Sequence, residues 1–309
     1  MGRRATMLSL ASLGLSTLTQ CSPRGRRVRL DGAAQNGTTA AAQEIVAGRC
    51  GALIHVERVR DWVGRLDVMQ AVQWAPLLED TGIDPLRDVQ RAYVTAKSLD
   101  DVAGCALVLD LAVDDDDRID AALRLLAARD CSETEGDKTP PPAIVTATNG
   151  RVVRTCIAGE KYVVTRASRK TIVALPEADA PAIVSFFGCK ELPAPRDGEA
   201  LDLFAYEPSK TLDATITWPE SLVEARASVE LAGGAAAIEF VGKSTSEGQA
   251  ERDAADLTRQ VNDLCGVDLV LFKMPIFNAV SFHARGSDIE MATRFSRTEV
   301  DIILALVNL

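Results

Sequence analysis

Residues 222–231 constrain the fold more than any other stretch, because their polar and apolar side chains alternate strictly. The apolar positions are Val223, Ala225, Ala227, Val229 and Leu231, and the polar positions are Glu224, Arg226, Ser228 and Glu230. A period of two is typical of a β-strand with one buried and one solvated face. Parallel sheets bury both faces, so this stretch predicts an antiparallel sheet.

A unit of two strands, a polar or acidic cap and an amphipathic helix extends this prediction along the chain. The unit appears at residues 89–128, 222–264 and 279–309, and further strands are predicted at 51–57, 151–157, 161–167, 171–175 and 201–206. Helices are also predicted at 58–73 and 178–187. The expected fold class is α+β, with antiparallel sheet, helices packed on one face and repeated strand-strand-helix units.

Local signals predict several boundaries. Asn149-Gly150 predicts a hairpin between strands at 143–148 and 151–157. The pairs Ser244/Glu247 and Ser296/Glu299 predict capping boxes, the acids at 114–117 predict a helix start, and residues 268–277 predict a short helix. The proline-containing loop at 188–199 predicts the division between two α+β halves, 44–190 and 200–309.

The N-terminus has the layout of an export signal. Arg3 and Arg4 precede an apolar run at residues 7–18, which is too short to span a bilayer because a spanning helix needs about 20 residues. The run ends at Leu18-Thr19-Gln20-Cys21. We therefore expect residues 1–20 to be a signal peptide, with an uncleaved signal anchor or a chance apolar N-terminus as the alternative.

Residues 18–21 resemble the lipobox of bacterial lipoproteins, which has an aliphatic residue three positions before the cysteine. Gln20 departs from that pattern, which usually has Gly, Ala or Ser at this position. The resemblance implies that Cys21 is the lipid attachment site, bearing thioether-linked and amide-linked acyl chains such as palmitate. Ser22 is not the Asp that retains such proteins in the inner membrane, so the resemblance favours the outer membrane.

Residues 21–43 are predicted to be a flexible tether, because they lack apolar periodicity and are rich in Gly, Ala, Thr and Arg. The arginines at positions 24–29 favour acidic headgroups, although a solvated linker explains them equally well. The formal net charge of the chain is −10 and becomes −12 without residues 1–20. An acidic body argues against nucleic acid as a partner.

The spacing and number of the cysteines indicate that they have structural roles. None of the seven forms a C-x-x-C motif, which leaves metal ribbons and thioredoxin-type chemistry without support. Acylation of Cys21 leaves an even number in an oxidising compartment, which predicts up to three disulfides. Their candidates are Cys50, Cys105, Cys131, Cys156, Cys189 and Cys265. Buried, unpaired thiols are the alternative.

No motif assigns a catalytic residue, a metal site or a cofactor. Gly242-Lys243-Ser244-Thr245 lacks the earlier glycine of a phosphate-binding loop, since Ala237 stands there. The sequence contains neither Gly-x-Ser-x-Gly nor H-E-x-x-H, so His55 and His283 are interpreted as structural or surface residues. Trp62 and Trp74 are interpreted as core residues.

Two further patterns carry a resemblance to a family: residues 81–85 with Arg87-Asp88-Val89, and the helix start at residues 246–250. With the lipobox, they resemble uncharacterised lipoproteins of myxobacteria and their relatives. This resemblance implies location and overall fold only. We expect a membrane-tethered envelope lipoprotein that is a binding or scaffolding module for a protein or hydrophobic ligand. The alternative is an envelope hydrolase with an unrecognised acid/base pair.

The lipid anchor gives the first prediction. Cys21→Ser should move the protein from the membrane fraction to the soluble fraction and remove the acyl mass, because two or more chains hold a protein on a bilayer. Cell fractionation and intact-mass spectrometry measure both effects, with Cys189→Ser as the control that keeps its anchor. A wild-type protein that begins at Met1 and carries no acyl mass would contradict the prediction.

Overall fold

An antiparallel sheet of eleven strands forms the core of the part of the chain that the computed structural model describes. The described residues are 36–63, 75–98, 101, 104–129, 144–145, 150–196, 198–212, 216–264, 266–269, 272–275 and 279–299. The predicted antiparallel α+β architecture is therefore confirmed.

The strands of this sheet range from 3 to 11 residues in length. Their bounds are β1 Cys50–His55, β2 Val89–Ala96, β3 Ala106–Leu111, β4 Val152–Ile157, β5 Glu160–Arg166, β6 Thr171–Pro176, β7 Glu199–Tyr206, β8 Leu222–Ala232, β9 Ala235–Ser244, β12 His283–Arg285 and β13 Asp288–Ser296. The strand order across the sheet is β12-β13-β9-β8-β7-β1-β2-β3-β6-β5-β4. A separate two-stranded sheet pairs β10 Gly266–Leu269 with β11 Phe272–Pro275. The short helix predicted at 268–277 is therefore wrong, because this stretch satisfies its backbone groups by strand pairing.

Helices connect the strands. Their bounds are α1 Gly37–Ile45, α2 Val56–Val63, α3 Ala75–Leu78, α4 Asp116–Ala127, α5 Pro208–Thr211 and α6 Glu247–Leu264, with a 3-10 helix at Glu177–Phe186. The acidic start of α4 is confirmed, since the Asp115 carboxylate accepts a hydrogen bond from the backbone N–H of Arg118. The order strand–strand–helix occurs at β2-β3-α4 and β8-β9-α6, but order alone does not establish a structural repeat.

In the half of the sheet from β1 to β4, helices lie on both faces. On the first face, Ile54, Leu109 and Val164 pack with the apolar side chains of α2, α3 and α4. On the second face, Leu53 and Val108 pack with α1 and the 3-10 helix. The prediction that helices pack on one face is therefore wrong here, because these central strands are apolar at consecutive positions and need cover on both sides.

In the other half, the two faces differ. Helix α6 packs its apolar stripe against Ala227, Ile238 and Phe240, which lie on the first face. Among the described helices, none places apolar side chains against the second face of β8, β9 or β13. We call the second face of β7, β8 and β9 the open face; its side chains are those of Asp202, Phe204, Tyr206, Glu224, Arg226, Ser228, Glu230, Ala237, Glu239, Val241 and Lys243.

The two halves expected from the sequence share this one sheet. β1 pairs with β2 on one side and with β7 on the other, so residues on either side of the loop at 188–199 belong to the same sheet. On the first face, Leu201 packs against the apolar clusters of both halves. The ring of Trp62 lies 4.5 Å under the guanidinium of Arg297, which joins α2 to the far end of β13.

The tether ends earlier than the sequence suggested. Asn36 caps α1 by accepting hydrogen bonds from the backbone N–H groups of Thr38 and Thr39, and the Thr39 hydroxyl completes a capping box. Ala42 is fully buried against the sheet. The prediction of a flexible tether is therefore wrong from Asn36 onward. The alanine-rich sequence alone does not distinguish a tether from a docked helix. Ala favours helices, and its small side chain suits close packing on a sheet.

Other local predictions have mixed outcomes. The Ser296/Glu299 capping box is confirmed, whereas Ser244 belongs to β9 and Ser246 precedes α6 instead. Of the strand predicted at 143–148, only Ile144 and Val145 are described, and both are helical. A register shift between Leu222 and Glu224 turns Val223 outward, so the alternation begins only after it. Residues 1–35 and Trp74 lie outside the described residues.

The cap of α1 gives the second prediction. Asn36→Ala should lower the free energy of unfolding by about 1 kcal/mol, because it removes the side-chain acceptor for two backbone N–H groups. Urea denaturation of the purified protein measures this difference, and Glu44→Ala, an exposed change on the same helix, is the control. Equal stabilities of Asn36→Ala and wild type would show that residues 36–46 do not form a docked helix in solution.

Candidate functional site

Polar side chains collect on the second face where β1, β2, β3 and β7 meet the loop after the 3-10 helix. The Arg91 guanidinium is only 8 % exposed, and its Nε lies 3.3 Å from Asp110 Oδ2. Its Nη2 lies 2.6 Å from Glu191 Oε2, and Nη1 donates to the Leu192 carbonyl oxygen. This buried cation therefore has anionic or carbonyl partners, which offset its loss of hydration.

Asp110 completes this network. Its carboxylate accepts hydrogen bonds from the Thr171 hydroxyl at 2.8 Å and from the Leu192 backbone N–H at 2.6 Å. Burial raises the pKa of Asp110, while these donors and Arg91 act in the opposite direction. Asn36 and Thr38 donate to the carbonyl oxygens of Glu191 and Lys190, so the same loop also receives α1. The network joins helix, loop and sheet, which is a structural role.

His55 lies beside this network and pairs with Glu199. Its Nε2 is 3.8 Å from Glu199 Oε2, too long for a hydrogen bond, and the His55 side chain is fully buried. Burial, followed by the charges of Arg91 and Arg58, lowers the pKa of His55 to about 4. The imidazole is therefore neutral at physiological pH and inaccessible to a substrate in this conformation. The sequence interpretation of His55 as structural agrees with this geometry, and His283 lies exposed on β12.

A second polar group lies on the second face of the sheet, on the two strands that flank β1. Asp202 and Tyr93 are both register partners of Leu53, on β7 and β2 respectively, so the two side chains share the second face. The Tyr93 hydroxyl is buried, and its burial raises the pKa of this side chain. Burial, followed by the charge of Glu199, raises the pKa of Asp202 to about 6. Asp202 is therefore a half-buried carboxylate whose surroundings raise its pKa but leave it mostly ionised at pH 7.

The neighbours of Asp202 are aromatic and charged. Arg226 donates from Nε to Glu224 at 2.6 Å and from Nη2 to the Tyr206 hydroxyl at 3.4 Å. The rings of Phe204 and Tyr206 are 5.8 Å apart between centroids. Because Glu224 pairs with Arg226, the negative charge of Asp202 is only partly offset. This part of the open face has the chemistry to receive a cationic group.

A third polar cluster is structural. Asp253 on α6 is 1 % exposed and accepts hydrogen bonds from Ser221, Ser244 and Gln249, with the Ser244 hydroxyl at 2.6 Å. It holds the start of α6 against the ends of β8 and β9. The signal for Asp253 was present in the sequence, since it falls on the same helical stripe as Ala250, Ala254 and Leu257. A lone acid within an apolar stripe indicates a buried partner.

The described cysteines are thiols. Cys50, Cys105, Cys156 and Cys189 form no disulfide with one another. The Cys105 sulfur lies 3.2 Å from the Tyr162 hydroxyl, and burial raises the pKa of Cys105, which makes it a poor nucleophile. The disulfides proposed within this group of four are therefore absent from the structure. Cys21, Cys131 and Cys265 lie outside the described residues.

Neither metal nor membrane-spanning features occur in the described part of the chain. No group of three or more His, Cys, Asp or Glu side chains there is arranged to hold a metal ion. Two of the acids at the start of α4 pair with cations instead: Asp116 with Arg166, and Asp114 with Arg169 at 2.8 Å. None of the described helices has the length and apolar character needed to cross a bilayer.

Comparisons with known proteins identify no family. No family model matches the sequence, and no curated protein matches it. Solved structures that resemble the fold include crystal forms I, III and IV of TP0453, with TM-scores of 0.46, 0.44 and 0.40 and identities of 8 %, 8 % and 9 %. The matches cover 87 %, 85 % and 87 % of this chain and 98 %, 95 % and 100 % of the TP0453 chains. At such scores the likeness supports no conclusion about activity.

The buried imidazole gives the third prediction. His55 has a pKa of about 4 in the folded protein and about 6.5 unfolded, so the unfolded chain binds more protons between these values. The stability contribution of neutral His55 is complete above pH 6.5 and should be lost as the pH falls toward 4. His55→Gln should reduce this pH dependence of the free energy of unfolding.

Urea denaturation at several pH values between 4 and 7 measures the effect. His283→Gln, which removes an exposed imidazole, is the matched control and should leave the pH dependence close to that of the wild type. The same slope in wild type and His55→Gln would contradict the predicted neutral, buried state of His55.

Proposed function

We propose that this protein is a lipid-anchored lipoprotein of the bacterial cell envelope whose folded body binds or scaffolds a partner protein. The proposed location in the envelope rests on the signal-like segment at residues 1–20 and on Cys21 in its lipobox-like context. Ser22 favours the outer membrane by the same resemblance. The observation that carries the binding role is the open face, which no described helix covers.

The chemistry of the open face favours a protein partner over a hydrophobic ligand. The first face is filled by the apolar side chains of α2, α3, α4 and α6, whereas the open face presents charged and hydroxyl groups around a few aromatic rings. Asp202, Tyr206 and Ser228 are neither fully buried nor fully exposed. Half-buried polar groups with aromatic neighbours are typical of protein interfaces, where Tyr and Arg contribute most of the binding energy.

The alternative, an envelope hydrolase, would need an accessible acid/base pair. His55 and Glu199 are the histidine and carboxylate that the structure brings closest to this description, at 3.8 Å. A general base must reach the proton that it abstracts from the substrate. Because His55 is fully buried under the loop and the neighbouring strands, the geometry supports a structural pair and favours the binding module.

Site-specific photo-crosslinking in the native envelope gives the fourth prediction. A crosslinking amino acid at position 228, in the centre of the open face, should capture one discrete envelope protein. The same amino acid at position 251, which is exposed on α6, is the control and should capture no such protein. Identical adducts from both positions, or none from position 228, would contradict a binding role for the open face.

A further inference from the structure

We propose that the open face docks the arginine-rich segment at residues 24–29 of this same chain. This inference goes beyond the proposed function, because it assigns an intramolecular occupant to the face and does not require acylation or a partner protein. Three observations carry it: the charge of the face, the half-buried carboxylate at its edge, and the point at which the described chain begins.

The charges of the two surfaces are complementary. On β7, β8 and β9 the open face has the acids Asp202, Glu224, Glu230 and Glu239 against the bases Arg226 and Lys243. Glu224 is already paired with Arg226 at 2.6 Å, and Glu239 also has a partner, which leaves Asp202 and Glu230 as the acids of interest. The segment carries Arg24, Arg26, Arg27 and Arg29 and no acid. Guanidinium groups pair well with carboxylates because their donors match the two carboxylate oxygens.

Asp202 lies on β7 at the edge of the open face. It shares the second face of the sheet with the buried Tyr93, since both are register partners of Leu53. A half-buried carboxylate gains more from a nearby cation than a fully solvated carboxylate does. A guanidinium group beside Asp202 would offset part of the cost of burying its charge.

The first described residue, Asn36, lies near the end of the sheet that also holds Glu230. Asn36 donates from Nδ2 to the Glu191 carbonyl oxygen at 2.6 Å, and the Glu191 side chain pairs with Arg91 near the start of β2. Glu230 lies at the same end of the sheet, because its register partner Glu199 begins β7. Three strand spacings separate β2 from β8, about 14 Å.

Arg29 precedes Asn36 by seven residues, which span up to about 24 Å when extended. The arginines therefore come within range of Asp202 and Glu230 without any change in the described fold. Helix α1 already follows the second face over β2 and β3, so the preceding residues start on the side of the sheet that holds the open face. The segment and a partner protein would compete for the same surface.

Limited proteolysis of the full chain in a non-ionic detergent tests the proposal. Trypsin cleaves after arginine, so new N-termini at Gly25, Arg27, Val28 and Leu30 report how often the segment leaves the face. The double variant Asp202→Asn/Glu230→Gln should be cleaved there about fivefold faster than wild type, the effect expected from losing two screened ion pairs. Cleavage within the folded body should be unchanged, which verifies that the variant folds.

A matched double variant controls for total charge. Glu220→Gln/Glu251→Gln removes two exposed acids away from the open face and should leave the cleavage rate of the segment at the wild-type value. Equal rates in wild type and the open-face variant would overturn the proposal. Equal acceleration in both variants would also overturn it, because the effect would then come from net charge.

Two further outcomes identify other occupants and would likewise overturn the proposal. Protection that appears only after addition of anionic vesicles would show that the arginines bind lipid headgroups instead. Protection that rises with protein concentration would show that the segment docks on a second copy. Protection independent of concentration and vesicles, lost in the open-face variant alone, is the result that supports docking within one chain.

Discussion

The pairing of β1 with both β2 and β7 is the contact on which the rest of the structure depends. Leu53 has Tyr93 as its partner on one side and Asp202 on the other, although these residues are far apart in sequence. The same pairing brings His55 next to Glu199. Without it, the chain would form two smaller sheets, each with an additional edge of unpaired backbone groups.

The sheet is covered unequally, and this difference explains where the polar groups lie. The first face is apolar along its length and packs against α2, α3, α4 and α6, so each large buried side chain contributes about 1.5–3 kcal/mol. The second face is covered by α1 and the 3-10 helix over β2 to β6. Asp202 lies at the boundary between the part of the second face that helices cover and the open face. This position explains why its pKa is raised and why a cationic group can reach it.

Local patterns identified most of the elements correctly. Alternation at 222–231 predicted β8, the stripe through Ala250 and Leu257 predicted α6, and the acids before Arg118 predicted the start of α4. Two of the failures occurred where local signals compete: the hairpin of β10 and β11 was predicted as a helix, and α1 as a tether. At α1 the preference of the backbone is weak and packing against the sheet decides the conformation, whereas β10 and β11 are held by pairing with each other.

The sequence by itself determined the fold class, the positions of most strands and helices, and the export-like N-terminus, because these depend on the period and order of side chains along the chain. Only the tertiary structure decided that one sheet joins both halves, that helices lie on both faces of one half, and which polar residues meet. Arg91 and Asp110 appear in the sequence as isolated charges within apolar strands. Their pairing depends on strand register, which is fixed by contacts between distant segments and has no local signal.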